Sequence, residues 1–270
     1  MRHAAFTVDV DRDVNEPRPG QLEACSRNCP TPRFTSTAKG LVLLVDLLNE
    51  LGIRGTFFLE GETVERWPGE RSIAEILDGH EIAAHGYAHE DLTGESTGIA
   101  PSPDWLDAII GRSLAVIEDT VGRRPVGFRA PYQHINEQVA LVLAGRGLLY
   151  DSTAFADVAI GLRPYRLPGG LLEVPLAQGL DPRGKRLQSY LWPLHEGKRP
   201  VADYIHLLSQ VDKGILVLGD HSWHIVESLN GLRTDRQVID EVDRTRQVLQ
   251  GALDRGIGFM TLEEYCRPED

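Results

Sequence analysis

The sequence predicts an α/β fold in a single domain over residues 1–270, with parallel strands joined by crossover helices. Short β-rich runs alternate with amphipathic helical segments along the whole chain of 270 residues. No linker or shift in composition divides the chain, and no internal repeat is visible. Because about seven strand–helix units follow one another, a barrel is favoured over an open doubly wound sheet.

The first half of the chain alternates regularly. Leu41, Leu44, Val45 and Leu48 recur at intervals of three and four residues, which predicts an amphipathic helix that Gly52 ends. The run RGTFFL follows and is rich in β-formers. The predicted strands are 4–10, 54–59, Glu81–Ala84 and 126–129, and the predicted helices are 36–51, 72–78 and 103–121.

The second half is less regular. A helix at 136–145 and a strand at 148–150 precede residues 157–200, which are rich in Gly and Pro and contain a hairpin-like piece at 171–175. We expect this segment to make excursions over one face of the domain. Regular elements then return, with predicted helices at 201–211 and 236–254 and predicted strands at 214–218 and 257–260.

The composition is that of an ordinary globular domain, with 41% hydrophobic and 25% charged residues. The net charge of −12 argues against nucleic acid and anionic membranes as partners, since both bind preferentially to basic surfaces. Three cysteines are too few for a disulfide framework. The C-x3-C pair of Cys25 and Cys29 favours free thiols or one local disulfide over a zinc site.

The sequence contains no recognisable targeting or membrane segment. The N-terminal run MRHAAFTVDVDRD turns acidic without an apolar stretch, and no segment reaches about eighteen consecutive apolar residues. We therefore expect a cytoplasmic protein with no membrane partner. The composition leaves a homo-oligomer open.

Polar side chains suited to catalysis follow five of the predicted strands. In parallel α/β folds the carboxyl ends of the strands meet at one rim, where active sites form. Among the first six predicted strands, only the strand at 54–59 is expected to supply no such group. The candidates are Asp9, Asp11 and Asp13 after the first strand, His85 and His89 after the third, Arg129 and Tyr132 after the fourth, Asp151 after the fifth, and Asp220, His221 and His224 after the strand at 214–218.

His85 and His89 have the four-residue separation that brings two imidazoles to one side of a helical turn. Together with one carboxylate, two imidazoles leave coordination positions open, as in catalytic metal sites. Asp9 and Asp11 share one side of an extended strand, so one can bind metal while the other takes a proton. Their spacing does not say which does which, and the aspartates 9, 11 and 13 could instead form a solvated loop or a helix cap.

Arg129 lies in an Arg-x-Pro-Tyr motif, in which Pro131 stiffens the loop. A guanidinium at this position can keep a carboxylate base ionised and in place. His221 follows the apolar run GILVL at the same rim and suits a general acid for an amine leaving group. His224 is near enough in sequence to compete for that role.

In their order along the chain, these motifs resemble those of the polysaccharide deacetylase superfamily, carbohydrate esterase family four. The D-x-D spacing and the His-Gly-Tyr-x-His form are similar to an intracellular branch related to peptidoglycan deacetylases and allantoinase-like proteins. The resemblance extends from residue 4 to about residue 260. Its five segments are 7–11, 79–89, 129–132, 150–152 and 218–221.

The resemblance implies a distorted (β/α)7 barrel that binds one divalent metal ion, with zinc as first choice. The implied metal ligands are Asp11, His85 and His89.

The resemblance also implies roles in catalysis. Asp9 would be the base, Arg129 would orient it, and His221 would be the acid. The backbone N–H of Tyr132 would help to stabilise the oxyanion. Asp151 belongs to the fourth motif and is assigned to the same catalytic set.

The predicted function is metal-dependent removal of acetyl groups from N-acetylated sugars, in an oligo- or polysaccharide. Two alternatives stay open: hydrolysis of a small non-sugar amide or a cyclic imide or ureide, and a catalytically silent carbohydrate-binding protein. Retention of both Asp9 and His221 argues against the silent protein, since binding alone needs no proton-transfer groups. A polymer would call for a groove lined by aromatic residues, for which the candidates are Trp105, Tyr132, Trp192 and Trp223.

Overall fold

The structure, a computed structural model, describes residues 2–211 and 213–267 and alternates strands with helices. Its strands are β1 Arg2–Val10, β2 Asn15–Arg18, β3 Gln21–Ser26, β4 Thr56–Leu59, β5 Glu81–Ala84, β6 Gly127–Phe128, β7 Tyr150–Asp151, β8 Phe155–Asp157, β9 Tyr165–Arg166, β10 Leu172–Glu173, β11 Leu176–Leu180, β12 Arg186–Gln188, β13 Ile215–His221, β14 Glu227–Ser228, β15 Gly231–Leu232 and β16 Ile257–Phe259. Its α-helices are α1 Thr35–Leu51, α2 Gly61–Glu65, α3 Ile73–Ile76, α4 Pro103–Val121, α5 Glu137–Gly145, α6 Trp192–His195, α7 Val201–Ser209, α8 Asp235–Leu253 and α9 Leu262–Cys266. Short 3-10 turns occur at Pro131–Gln133, Pro168–Gly170 and Ser222–Ile225.

The parallel strand pairs lead around a curled sheet and back to the strand where they start. β1 pairs with β4, β4 with β5, β5 with β6 and β6 with β7. The next two strands of the wall are each divided into two segments: β7 followed by β8, and β10 followed by β11. β7 pairs with β10, and β8 pairs with β11. β11 then pairs with β13, which returns to β1. The predicted distorted (β/α)7 barrel is confirmed, and these interruptions are part of its distortion.

The prediction for residues 157–200 is wrong in part. β11 lies inside this segment and forms part of the barrel wall between β8 and β13. The hairpin-like piece at 171–175 contains β10, which pairs antiparallel with β9 and parallel with β7. Pro175 stands between β10 and β11 and cannot donate to a strand ladder. Because of this break, strand periodicity in the sequence does not predict β11 as a strand of the barrel wall.

An unpredicted hairpin, β2–β3, follows the first strand directly. Its strand residues Glu16 and Cys25 are cross-strand partners. Cys25 and Cys29 are both free thiols, which is one of the two outcomes expected from the sequence.

The helices pack on the outside of the barrel through apolar faces. α1 buries Leu41, Leu44 and Leu48 and ends at Gly52, whose φ of 66° is left-handed. α4 ends in the same way at Gly122. None of the helices in the described residues combines the length and the apolar character needed to cross a bilayer.

Polar side chains close the amino end of the barrel. Glu81, the first residue of β5, accepts hydrogen bonds from Thr56 Oγ1 at 2.7 Å and from the Tyr150 hydroxyl at 2.5 Å. Its carboxylate also accepts the backbone N–H of Glu263 at 2.9 Å, which fastens α9 beneath the barrel. The carboxyl ends of the strands lie at the opposite end of the barrel, where active sites form in such folds.

Replacement of Gly40 by alanine tests how closely α1 packs against the turn after β13. An alanine Cβ at this position would lie 1.8 Å from the backbone oxygen of Ser222, so the helix or the turn must shift. We expect the free energy of unfolding to fall by about 1–3 kcal/mol in urea denaturation. Gly145→Ala in α5 is the control, because nothing lies within 4 Å of its Cβ position. Wild-type stability of Gly40→Ala would contradict the packing described.

Candidate active site

Asp11, His85 and His89 meet at the carboxyl ends of β1 and β5. One possible ligand atom from each residue lies within 4.8 Å of the other two, and the three residues are 0–2% exposed. The two imidazole rings are 5.0 Å apart, and His89 Nε2 lies 3.3 Å from Asp11 Oδ2. Within the described ranges, no other group of three or more His, Cys, Asp or Glu side chains is assembled in this way. The structure thus brings together the three residues that the sequence predicts as ligands.

A loop, not a helical turn, brings the two histidines together, so that part of the prediction is wrong. Residues 85–90 follow β5 without helix. Gly86 and His89 have φ values of 75° and 52°, and a Cβ at Gly86 would lie 2.8 Å from Glu90 Oε2. A left-handed conformation is unfavourable for histidine, and such strain concentrates at functional sites. Two histidines four residues apart therefore meet here through a loop that contains left-handed residues.

The donor atoms of this triad fit a bound cation. His85 Nδ1 lies 2.8 Å from the carbonyl oxygen of Arg129, which assigns the proton to Nδ1 and leaves the lone pair of Nε2 for the site. Over residues 2–211 and 213–267, His85 Nε2, His89 Nδ1 and Asp11 Oδ1 are buried and have no hydrogen-bond partner. Buried polar atoms are rarely left unpaired, and this set of nitrogen and oxygen donors suits a divalent metal ion.

Burial also sets the charges of the triad. It lowers the pKa of His85 to about 4 and that of His89 to about 3, so both imidazoles are neutral near pH 7. Burial raises the pKa of Asp11 well above its ordinary value, and the neighbouring carboxylates of Asp9 and Glu60 raise it further. A cation at the triad would supply the positive charge that Asp11 lacks.

Asp9 lies beside the triad and is held by other groups. Arg129 Nη1 donates to Asp9 Oδ1 at 2.9 Å, and the Tyr190 hydroxyl donates to Asp9 Oδ2. Burial alone would raise the pKa of Asp9, but the Arg129 charge, followed by the neighbouring His85 and His221 and the hydrogen bond from Tyr190, brings it down to about 2. Asp9 Oδ2 is 3.8 Å from His85 Nε2. The geometry therefore distinguishes Asp9, which Arg129 and Tyr190 hold, from Asp11, which lies with the two histidines. Their spacing in the sequence does not make this distinction.

Tyr132 and His221 border the same group of side chains. The Tyr132 ring lies 4.6 Å from that of His89, and its backbone is left-handed with φ of 59°. The His221 ring lies 5.0 Å from the ring of Tyr190, the tyrosine that binds Asp9. His224 is bonded instead to Glu196, with 2.8 Å between Nε2 and Oε1. Of the two histidines, His221 is the one placed near Asp9.

Asp13 and Asp151 have other partners. The Asp13 carboxylate accepts two backbone N–H groups in the first turn of α1, at 3.0 and 2.7 Å, which is the capping role considered for these aspartates. Asp151 accepts the N–H and the hydroxyl of Thr153 at 3.0 and 2.9 Å. Thr153 Oγ1 accepts the Ala130 N–H at 2.8 Å. Asp151 thus reaches the 129–132 loop through Thr153.

The sequence did not predict Glu60 and Tyr190 as parts of the site. The strand at 54–59 is predicted to supply no polar group, and this is wrong, because Glu60 follows β4 directly and binds Arg12 Nε at 2.7 Å. Its position after RGTFFL is a signal that could have been used. Tyr190 lies in the irregular segment 157–200, where no local motif marks it.

Comparison with known proteins finds a family match for the central part of the chain. Residues 38–150 match the family model for polysaccharide deacetylase, a span that contains both histidines and the 129–132 loop. A peptidoglycan deacetylase-like protein of Gibberella zeae is 35% identical over 157 residues, which cover 56% of this chain and 44% of that protein. Chitin deacetylase 1 of Cryptococcus neoformans is 36% identical over 106 residues, covering 39% of this chain and 21% of that protein. The chain spans less than half the length of either relative.

A structural likeness extends over nearly the whole chain. The crystal structure of a Mycobacterium smegmatis protein assigned as a polysaccharide deacetylase superposes with a TM-score of 0.66 and 26% identity. The match covers 99% of this chain and 94% of that one, including the strands before residue 38 and after residue 150. Together these matches show that residues 38–150 carry a polysaccharide deacetylase domain, and that the fold of nearly the whole chain is similar to that of the Mycobacterium smegmatis protein.

Proposed function

We propose that this protein is a metal-dependent hydrolase that removes acetyl groups from N-acetylated sugars. The observation that carries the proposal is the buried Asp11–His85–His89 group, with unpartnered ligand atoms, beside an ionised Asp9 held by Arg129. A metal site with a separately anchored base is what hydrolysis of an amide requires. Relatives whose names refer to peptidoglycan and chitin support an amino sugar as substrate.

Asp11, His85 and His89 would hold the metal. Two imidazoles and one carboxylate with open coordination positions suit zinc, which is our first choice. When bound, the ion would polarise the acetyl carbonyl and activate water for attack.

The chain's own residues would move the protons. Asp9 accepts the proton of the attacking water, and Arg129 keeps Asp9 ionised and oriented for that step. The backbone N–H of Tyr132 donates to the oxyanion. His221 gives a proton to the nitrogen as the carbon–nitrogen bond breaks, which releases acetate and a free amine. Asp151 acts through Thr153 by holding the loop that carries Arg129 and Tyr132.

A substrate panel tests the function. Of the four aromatic residues considered as sugar contacts, Trp105 and Trp192 pack against the hydrophobic cores, while Tyr132 and Trp223 lie beside His89 and His221. With zinc-loaded protein, we expect acetate release from acetylated chito-oligosaccharides and slower release from free N-acetylglucosamine. Turnover of cyclic ureides alone would show that the substrate is a small amide. No turnover of any compound, with zinc or cobalt, would show a silent binding protein.

His85→Ala should lose bound metal and activity together, because it removes one of three ligands. Metal content after dialysis against a zinc buffer, measured by atomic absorption, is expected to fall by at least about tenfold. His206→Ala on α7 serves as the control and should keep both properties. Full activity of His85→Ala without bound metal would rule out the metal mechanism.

Asp9→Asn should keep the metal and lose most of the rate. The amide cannot accept a proton from water, and the loss of a general base costs about 10²–10⁴-fold in kcat. Asp11→Asn is the matched variant and should lose metal first. If instead Asp9→Asn loses zinc while Asp11→Asn retains it, the two aspartates have the opposite roles.

A further inference from the structure

A buried ion pair lies next to the metal triad and has no part in the proton transfers described above. Arg12 is 2% exposed and Glu60 is 0% exposed. Arg12 Nε donates to Glu60 Oε1 at 2.7 Å, and its Nη2 donates to the same oxygen. Replacing such a pair by apolar residues of similar size is often neutral for stability, so the stability of the fold alone does not account for it.

Glu60 holds the backbone on both sides of Asp11. The Glu60 N–H donates to the carbonyl oxygen of Val10 at 3.0 Å. The Arg12 N–H donates to Glu60 Oε2 at 2.6 Å. The residues before and after Asp11 are therefore tied to one glutamate, and little backbone freedom remains for Asp11.

The segment that carries Glu60 also holds the histidine loop. The His85 N–H donates to the Leu59 carbonyl at 2.8 Å. The Gly61 N–H donates to the carbonyl of Gly86 at 3.0 Å, and the Glu62 N–H donates to that of Tyr87 at 2.7 Å. Residues 59–62 thus connect the loop of Asp11 to the loop between the two histidines.

Arg12 extends this framework to the β2–β3 hairpin. Its Nη1 donates to the carbonyl oxygen of Ala24 at 2.6 Å, and the Ala24 N–H donates to the carbonyl of Ala88 at 3.2 Å. Its Nη2 also reaches Glu62 Oε2 at 2.7 Å. Arg12 directly follows Asp11, and Ala24 links it to Ala88, which directly precedes His89. Arg12 therefore connects the chain beside Asp11 with the chain beside His89.

We propose that Arg12 and Glu60 are a positioning pair that fixes Asp11, His85 and His89 in the geometry for metal binding before the metal arrives. The inference rests on the proposed metal-dependent function and assigns the pair no contact with the reacting atoms. Outer contacts of this kind typically change metal affinity by about 10–100-fold when removed.

The test compares thermal stability with metal affinity in Arg12→Met, Glu60→Met and the double variant. Arg12→Met leaves the buried charge of Glu60 unpaired, and Glu60→Met leaves Arg12 with Glu62 as its remaining carboxylate partner, so each single variant should lower Tm. The double variant should recover most of that Tm, yet bind zinc about 10–100-fold more weakly in competition with a chelating dye. Its cobalt-loaded form should show an altered visible spectrum, because the ligand geometry is no longer held. If the pair served only the stability of the fold, the double variant would recover both Tm and zinc affinity.

Arg12→Lys keeps the charge and tests the same inference should the methionine variants not fold. A lysine cannot contact Glu60, Glu62 and Ala24 at once, so we expect zinc affinity to fall by a factor of about three or more. The control is the double replacement of Arg246 and Glu50 by methionine, a bidentate pair between α8 and α1, which should leave zinc affinity unchanged. Wild-type zinc affinity in Arg12→Lys, or in a folded Arg12→Met/Glu60→Met variant, would overturn the positioning role and leave the proposed function intact. Failure of the wild-type protein to bind zinc would overturn both.

Discussion

The organisation of the site depends on one buried cation, Arg129. A charge without exposure to water is costly unless its donors are paired. Arg129 donates to Asp9 Oδ1 and Thr7 Oγ1, each at 2.9 Å, and to the carbonyl and hydroxyl oxygens of Ser152 at 2.8 and 3.2 Å. The ring of Phe58 lies 4.1 Å from its central carbon. One side chain thereby fixes the ends of β1, β4 and β7 relative to β6.

The pairing of Arg129 with Asp9 accounts for the opposite behaviour of two neighbouring carboxylates. Arg129 neutralises Asp9 and brings its pKa down to about 2, while Arg12 is occupied by Glu60. Of the two aspartates, Asp11 is the one without a salt bridge to an arginine, and its pKa is raised. A divalent ion therefore fits at Asp11 for an electrostatic reason that is independent of the geometry of the ligands.

The sequence could predict the barrel and most of its rim, because alternation fixes the strands and parallel strands bring their carboxyl ends together. Position after a strand was enough to find Asp11 and His85. It could not show that His89 is reached through a loop, since a four-residue separation suits a helix equally well. Tyr190 was beyond reach for another reason. It contacts Asp9 from 181 residues away, and no periodic pattern links the two.

The closing pair of strands completes the site. Asp9 and His221 are partners in the register of β1 and β13, and paired residues on neighbouring strands present their side chains to the same face. In the same register Thr7 stands opposite Gly219, where a Cβ would lie 2.7 Å from the Tyr190 ring. The missing side chain at Gly219 makes room for Tyr190 to reach Asp9. A slip of one residue between β1 and β13 would turn Asp9 and His221 to opposite faces, so the register that closes the barrel is also the one that brings the proposed base and acid together.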